Sequence, residues 1–214
     1  MRSEQVASSD RNCLLDGWVP RSGARAVFVL ALVAAGLPGF AAAQAITEYP
    51  IPTTDAQPFG ITAGPDGNLW FTEHGPPNQI GRITTAAVFT EFPVPTPVSS
   101  PREITAGPDG NLWFTEEDGN NLARITTAGT VTEFPVPTAS SGPAGITTGP
   151  DGNLWFTEKD GNKIGKSTTA GVITEFPVPS VPGGPRNIAV GSDGNLWFRA
   201  RRKQDRPDHD GVDR

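Results

Sequence analysis

The phrase GPDGNLWF occupies Gly64–Phe71, returns at Gly107–Phe114 and Gly149–Phe156, and recurs as GSDGNLWF at Gly191–Phe198. Its tryptophans, Trp70, Trp113, Trp155 and Trp197, are spaced by 43, 42 and 42 residues. A period in the low forties built from short apolar stretches marks propeller blades, because helical repeats of that length need amphipathic helices. No amphipathic helical periodicity runs through the chain after Ala45. The fold class that follows is all-β: blades of four antiparallel strands.

Within a repeat, the first strand is GITAG at Gly60–Gly64 or GITTG at Gly145–Gly149. Pro-Asp-Gly then turns the chain, since Gly accepts positive φ and Asp bonds its own backbone. The second strand, NLWF, is apolar on consecutive residues and needs burial on both faces, which neighbouring blades provide. The third covers Ile80–Thr84, Leu122–Thr126 and Ile164–Thr168. The fourth is TEFPVP at Thr90–Pro95, Thr132–Pro137 and Thr174–Pro179. Proline cannot donate to a ladder, so this strand belongs at the outer edge.

Working outward, Ile46–Thr53 (ITEYPIPT) matches the fourth strand but has no blade before it. Closed propellers use such a segment to complete the last blade. Complete blades are expected at about 57–96, 97–138 and 139–180, with a partial one at 181–198. That is about three and a half blades. After Phe198 the repeat requires Thr-Glu, and RARRKQDRPDHDGVDR appears instead. A stretch so charged is expected to be a solvated tail over 199–214. The codons allowed for Arg199–Asp213, read one base later, can also spell Glu-x-Asp-Gly-Asn-Lys-Ile-Gly-Arg-Ile-Thr-Thr-Ala, the blade phrase in register. A frameshift in front of further blades is therefore expected.

Ahead of the repeats, Arg21 and Arg25 precede the apolar run Ala26–Ala43, with small residues at Ala41, Ala43 and Ala45. A basic flank, an apolar stretch and an A-x-A site describe an export signal over residues 1–45, cleaved after Ala43 or Ala45. The expected location is periplasmic or extracellular. Gly36, Pro38 and Gly39 interrupt the run, which is short for a bilayer span, so no stable span is expected after cleavage; a retained anchor is the alternative. The one cysteine, Cys13, lies in this segment, which leaves the exported part without disulfides or a cysteine nucleophile. The charge of −6 and the lack of a basic stripe give no reason to expect nucleic acid.

GPDGNLWFTE, NKIGKSTT, ITEFPVP and the variant IGRITT at Ile80–Thr85 together resemble the virginiamycin B lyase (streptogramin lyase) family. The likeness covers residues 46–198. It implies a seven-bladed ring and a magnesium-dependent elimination that opens a cyclic depsipeptide antibiotic at its ester bond. Such a reaction needs a base beside a carbonyl and a cation for the developing enolate. The family builds these from histidines and glutamates, including a Glu-x-His pair that this chain lacks. The catalytic set does not carry over. The residues left to nominate are His74 and Glu73 for catalysis, and Glu73 or Glu103 beside a magnesium ion.

Residues that recur in every blade read as scaffold. Asp66, Asp109, Asp151 and Asp193 each sit alone in a turn, short of the oxygen count that calcium wants. Glu73, Glu116 and Glu158 are expected to pair with Arg82, Arg124 and Lys166 across neighbouring strands, with a ring of acids around the channel as the alternative. The departures from the repeat are His74 and the lead-ins to the first strands, which put Arg102, Glu103 and Arg186 at a channel mouth. Loops over a rigid frame carry ligand sites, so these three are the expected ligand contacts, for a small molecule or peptide. An open ring also exposes two blade faces. If each hides about 500 Å² of apolar surface, roughly 12 kcal/mol of burial per face is forgone at about 25 cal/mol/Å², and self-association is expected. Three readings follow: a family lyase completed by further blades, a non-catalytic exported propeller binding a peptide, carbohydrate or cell-wall ligand, and an inactive truncated product.

Overall fold

Three four-stranded antiparallel sheets stand in succession along the chain, each one blade. The computed structural model describes residues 27–31, 46–179 and 184–200; the remainder of the expected export segment and residues 201–214 lie outside the described residues. Blade 1 comprises β3 (Pro58–Ala63), β4 (Leu69–Glu73), β5 (Gln79–Ile83) and β6 (Phe89–Pro93). Blade 2 comprises β7 (Pro101–Ala106), β8 (Leu112–Glu116), β9 (Asn121–Ile125) and β10 (Val131–Pro135). Blade 3 comprises β11 (Pro143–Thr148), β12 (Leu154–Glu158), β13 (Lys163–Ser167) and β14 (Ile173–Pro177). A final pair, β15 (Pro185–Val190) and β16 (Leu196–Ala200), forms the inner half of a fourth blade. β16 takes in Arg199 and Ala200, expected from sequence to lie in the charged tail; strand pairing is a backbone property and tolerates the loss of Thr-Glu.

Strand order within each blade follows chain order, with the proline-bearing fourth strand at the edge. The first turn forms as the sequence requires: Gly67, Gly110, Gly152 and Gly194 hold φ of 76°, 75°, 72° and 75°. Each turn is then pinned by the tryptophan that follows it. Trp70, Trp113 and Trp155 donate their indole N–H to Asp66, Asp109 and Asp151 at 2.9, 3.1 and 3.0 Å. The aspartates are thus turn scaffold.

Blades pack Trp face to Phe face. Trp70 joins Ile104, Leu112 and Phe114 of blade 2, and Trp113 joins Ile146, Leu154 and Phe156 of blade 3. Trp155 meets Ile188 and Leu196 of the half-blade. Polar bonds follow the same step. The Thr72, Thr115 and Thr157 hydroxyls donate to the carbonyls of Arg102, Ala144 and Arg186 on the next first strand, at 2.6, 2.7 and 2.9 Å. These threonines tie the innermost strands into one array.

Before blade 1, β1 (Val27–Ala31) and β2 (Ile46–Pro50) form a separate antiparallel pair. Pro50 pairs with Val27 as Pro93 pairs with Gln79, so β2 holds the fourth-strand place and β1 the third. Tyr49, Ile51 and Ala56 then cover Phe71 of blade 1. β2 therefore stands where a preceding blade would place its outer strand.

Candidate functional site

Phe59, Arg102, Ala144 and Arg186 hold one equivalent position at the start of the four first strands. The Arg102 guanidinium lies 4.7 Å from the centre of the Phe59 ring. The His74 ring lies 6.1 Å from the same phenyl ring, tilted by 33°. Arg102 also donates from Nη1 to Glu117 Oε2, and Lys159 Nζ sits 3.0 Å from Glu117 Oε1. Burial first, and then the positive charge of Arg186, hold the Arg102 guanidinium below its ordinary value. Burial raises the Glu103 carboxyl, with the Arg102 charge opposing it. Arg186 Nε is buried and donates to no partner among the described residues.

Of the sequence candidates, His74 and Arg102 meet across the Phe59 ring, the Arg186 charge reaches Arg102, and Glu103 follows Arg102 in β7. His74 also lines a cleft of about 510 Å³ with Gln57, Pro76, Pro97, Val98 and Ser100, where blade 1 crosses to blade 2. The rim offers guanidinium donors, an aromatic face and an imidazole, a set suited to carbonyl and aromatic groups of a ligand. Two participants, Glu117 and Lys159, were not anticipated. They follow Glu116 and Glu158 as His74 follows Glu73, so His74, Glu117 and Lys159 are one blade position carrying three different chemistries. Aligning that column would have found them.

Glu73 does not share this site. It is fully buried, as are Glu116 and Glu158. Because successive strand residues point to opposite faces, Glu73 turns inward while His74 follows it into the loop. The expected ion pairs with Arg82, Arg124 and Lys166 do not form, for the same reason. Arg82 and Arg124 pair with Trp70 and Trp113 in the strand register, on the other face from the glutamates. They lie 3.8 and 3.7 Å from Asp66 and Asp109 and donate to the Thr127 and Thr169 carbonyls of the next blade at 3.1 and 3.2 Å. Lys166 lies over the Trp155 ring. Nor do the glutamates ring the channel; they are enclosed within the blades. Burial, then the charge of Glu91, raises Glu73 to about 7. Burial raises Glu116 to about 8, opposed by Asn121 and reinforced by Glu133. Burial and Glu175 raise Glu158 to about 7.

The virginiamycin B lyase family model matches residues 37–205. The chain belongs to the virginiamycin B lyase family. Among solved structures of virginiamycin B lyases, a catalytically inactive histidine-to-alanine variant from Staphylococcus aureus with quinupristin is similar at 48% identity and a TM-score of 0.71. The match covers 73% of this chain and 53% of that one. A streptogramin B lyase structure is similar at 43% identity and a TM-score of 0.70, over 73% of this chain and 52% of that one. The chain therefore spans about half the length of these solved lyases.

The magnesium that the virginiamycin B lyase family implies does not fit the described residues. Glu73 is sealed against Glu91, and Glu103 stands beside the Arg102 cation. Among the described residues, no group of three or more His, Cys, Asp or Glu side chains converges. The donor set that a hard dication prefers is not assembled there.

Proposed function

We propose that this chain is a ligand-binding blade array of the streptogramin B lyase type, which holds a cyclic peptide or depsipeptide at the Phe59–Arg102 rim without completing its elimination. The observation that carries the proposal is the convergence of His74, Phe59 and Arg102 at one first-strand mouth, in a chain whose solved relative was captured with quinupristin. Guanidinium groups would take ligand carbonyls, and Phe59 an aromatic ring. His74 is the described side chain able to remove a proton there, yet no carboxylate set stands beside it for a metal. The proposal includes export, with cleavage after Ala43 or Ala45 removing β1.

Titration of the purified chain with quinupristin by isothermal calorimetry, with and without magnesium, tests the binding. Saturable binding, weakened at least tenfold by Arg102→Ala and without linearised product in chromatography, is the expected result. Linearised product from this chain would overturn the non-catalytic part. Absence of binding to quinupristin would overturn the ligand class and favour the alternative of a propeller for another peptide, carbohydrate or cell-wall ligand. N-terminal sequencing of protein recovered outside the cytoplasm tests export; a mature chain starting elsewhere than Gln44 or Ile46 would contradict it.

A further inference from the structure

Blade 1 departs from its neighbours in the loop after its second strand. Blades 2 and 3 place three residues between the buried glutamate and the next asparagine, Glu117-Asp118-Gly119 and Lys159-Asp160-Gly161. Blade 1 places four, His74-Gly75-Pro76-Pro77. Asn78, Asn120 and Asn162 keep φ of 59°, 54° and 52°, so the extra residue is absorbed within the loop. Gly75 takes the place of Asp118: its N–H donates to the Ala56 carbonyl as that of Asp118 donates to Ser99. Asp118 Oδ2 accepts the Ser100 hydroxyl at 2.5 Å, whereas Gly75 brings no side chain. An acid is thus lost from this loop and two prolines are gained.

The crossing that faces this loop carries a second departure. Asp55, Val98 and Ser140 hold one position of the crossing, with φ of 58°, 54° and 51°. Asp enters the left-handed region readily because its short polar side chain bonds locally, but a β-branched residue there is an outlier. Val98 gains no burial in return, since it is 76% exposed. Backbone strain of this kind gathers at ligand sites. Val98 lines the 510 Å³ cleft, together with Pro76, Pro77 and Pro97.

We infer that this cleft is a subsite for a neutral aromatic side chain of the peptide ligand, with Val98 and the three prolines as its apolar wall. The inference rests on the reading of the Phe59–Arg102 rim as a peptide site. The cleft is continuous with that rim, because His74 lines it and stands 6.1 Å from the Phe59 ring. Its volume is in the range of small-ligand pockets. Among the described residues no Asp, Glu, Lys or Arg lines it, so a charged group entering would lose water without gaining an ion pair. Proline C–H groups suit the negative face of an aromatic ring.

Titration of the full chain, labelled with carbon-13 in its histidine rings, with N-acetyl-phenylalaninamide reads the subsite by NMR. A saturable shift of the His74 resonance is expected, with His209 unmoved as the internal reference. N-acetyl-alaninamide should give no saturation at the same concentrations. Val98→Asn relieves the backbone, since Asn accepts positive φ, and removes the apolar wall; it should raise Tm while weakening the amide at least fivefold. Ser140→Val places the same strain at an exposed position of the next crossing, and should lower Tm without changing the titration. An unsaturated His74 shift overturns the inference, as does Val98→Asn binding like the parent. A lower Tm for Val98→Asn also overturns it, because Val98 would then serve the fold. The amide reads the cleft without the rim's guanidiniums: if it saturates while quinupristin fails to bind, the rim reading falls and the subsite stands. If quinupristin binds and the amide does not saturate, the subsite falls alone.

Discussion

Thr53 donates its backbone N–H to Glu91 Oε1 at 3.1 Å, although β2 and blade 1 belong to different sheets. The bond repeats as Thr96 to Glu133 and Thr138 to Glu175, each at 2.8 Å. In blades 2 and 3 the threonine hydroxyl adds a second bond to the same carboxyl, at 2.9 and 2.8 Å. Each blade is thus latched to the outer strand before it by a threonine on a glutamate. Behind each latch lies a second, buried glutamate: Glu73, Glu116 or Glu158. Blade 3 alone among the three places an ammonium at the latch, with Lys163 Nζ 2.8 Å from Glu175 Oε2, where blades 1 and 2 carry Gln79 and Asn121.

This pairing predicts a pH-dependent stability. Glu116 is raised to about 8 and Glu73 and Glu158 to about 7, against an ordinary 4.5. Between these values the folded chain holds protons that the unfolded chain releases, so stability falls as pH climbs from about 4.5 to about 8. Glu116→Gln imitates the protonated acid permanently. Its thermal melts should show a shallower decline over that range and a higher Tm than the parent at pH 8.5. A Tm below the parent's at pH 8.5 would show that Glu116 serves the fold as an anion.

Gly107→Ala should be destabilising by roughly 1–3 kcal/mol through overpacking. A Cβ there would stand 2.4 Å from Trp113 Cδ1 and 2.6 Å from Asp109 Oδ1, between the two partners of the indole bond. Urea unfolding followed by Trp fluorescence measures the loss. An unchanged midpoint would mean that the turn and the ring separate without cost.

Trp113→Ala and Trp197→Ala make the same chemical deletion at opposite ends of the burial series. Removing fully buried Trp113 should cost about 3–5 kcal/mol. Removing exposed Trp197 from monomeric protein should cost well under half as much. Equal losses in chemical denaturation would contradict the burial gradient.

Arg102→Ala removes the guanidinium from Phe59 and from Glu117, but Glu117 keeps Lys159 at 3.0 Å. Ligand affinity should drop at least tenfold while Tm moves by no more than a few degrees. A Tm loss as large as that of Trp113→Ala would make Arg102 a scaffold residue.

The blade architecture was legible in the chain because turn chemistry and strand burial are local. Pro-Asp-Gly fixes where the chain reverses, and LWF demands cover on both faces. The period of Trp70, Trp113, Trp155 and Trp197 therefore determined strand order, the edge position of the proline-bearing strand and the stacking of blades. The rim was partly legible: His74, Arg102, Glu103 and Arg186 stood out as departures from the repeat. Glu117 and Lys159 did not, because each looks like ordinary surface charge until its column is compared with His74.

Tertiary structure alone decided the partners. Spacing in the sequence allowed Glu73 to meet Arg82, yet the pleat sends them to opposite faces, and Arg82 bonds the next blade instead. Spacing also could not show that Glu73, Glu116 and Glu158 are sealed against a second carboxyl, since Glu91, Glu133 and Glu175 arrive from two strands away. Strand period is a property of consecutive residues, and the chain states it directly. Which side chains meet across blades depends on how twisted sheets stack, and that is settled only when the sheets are in place.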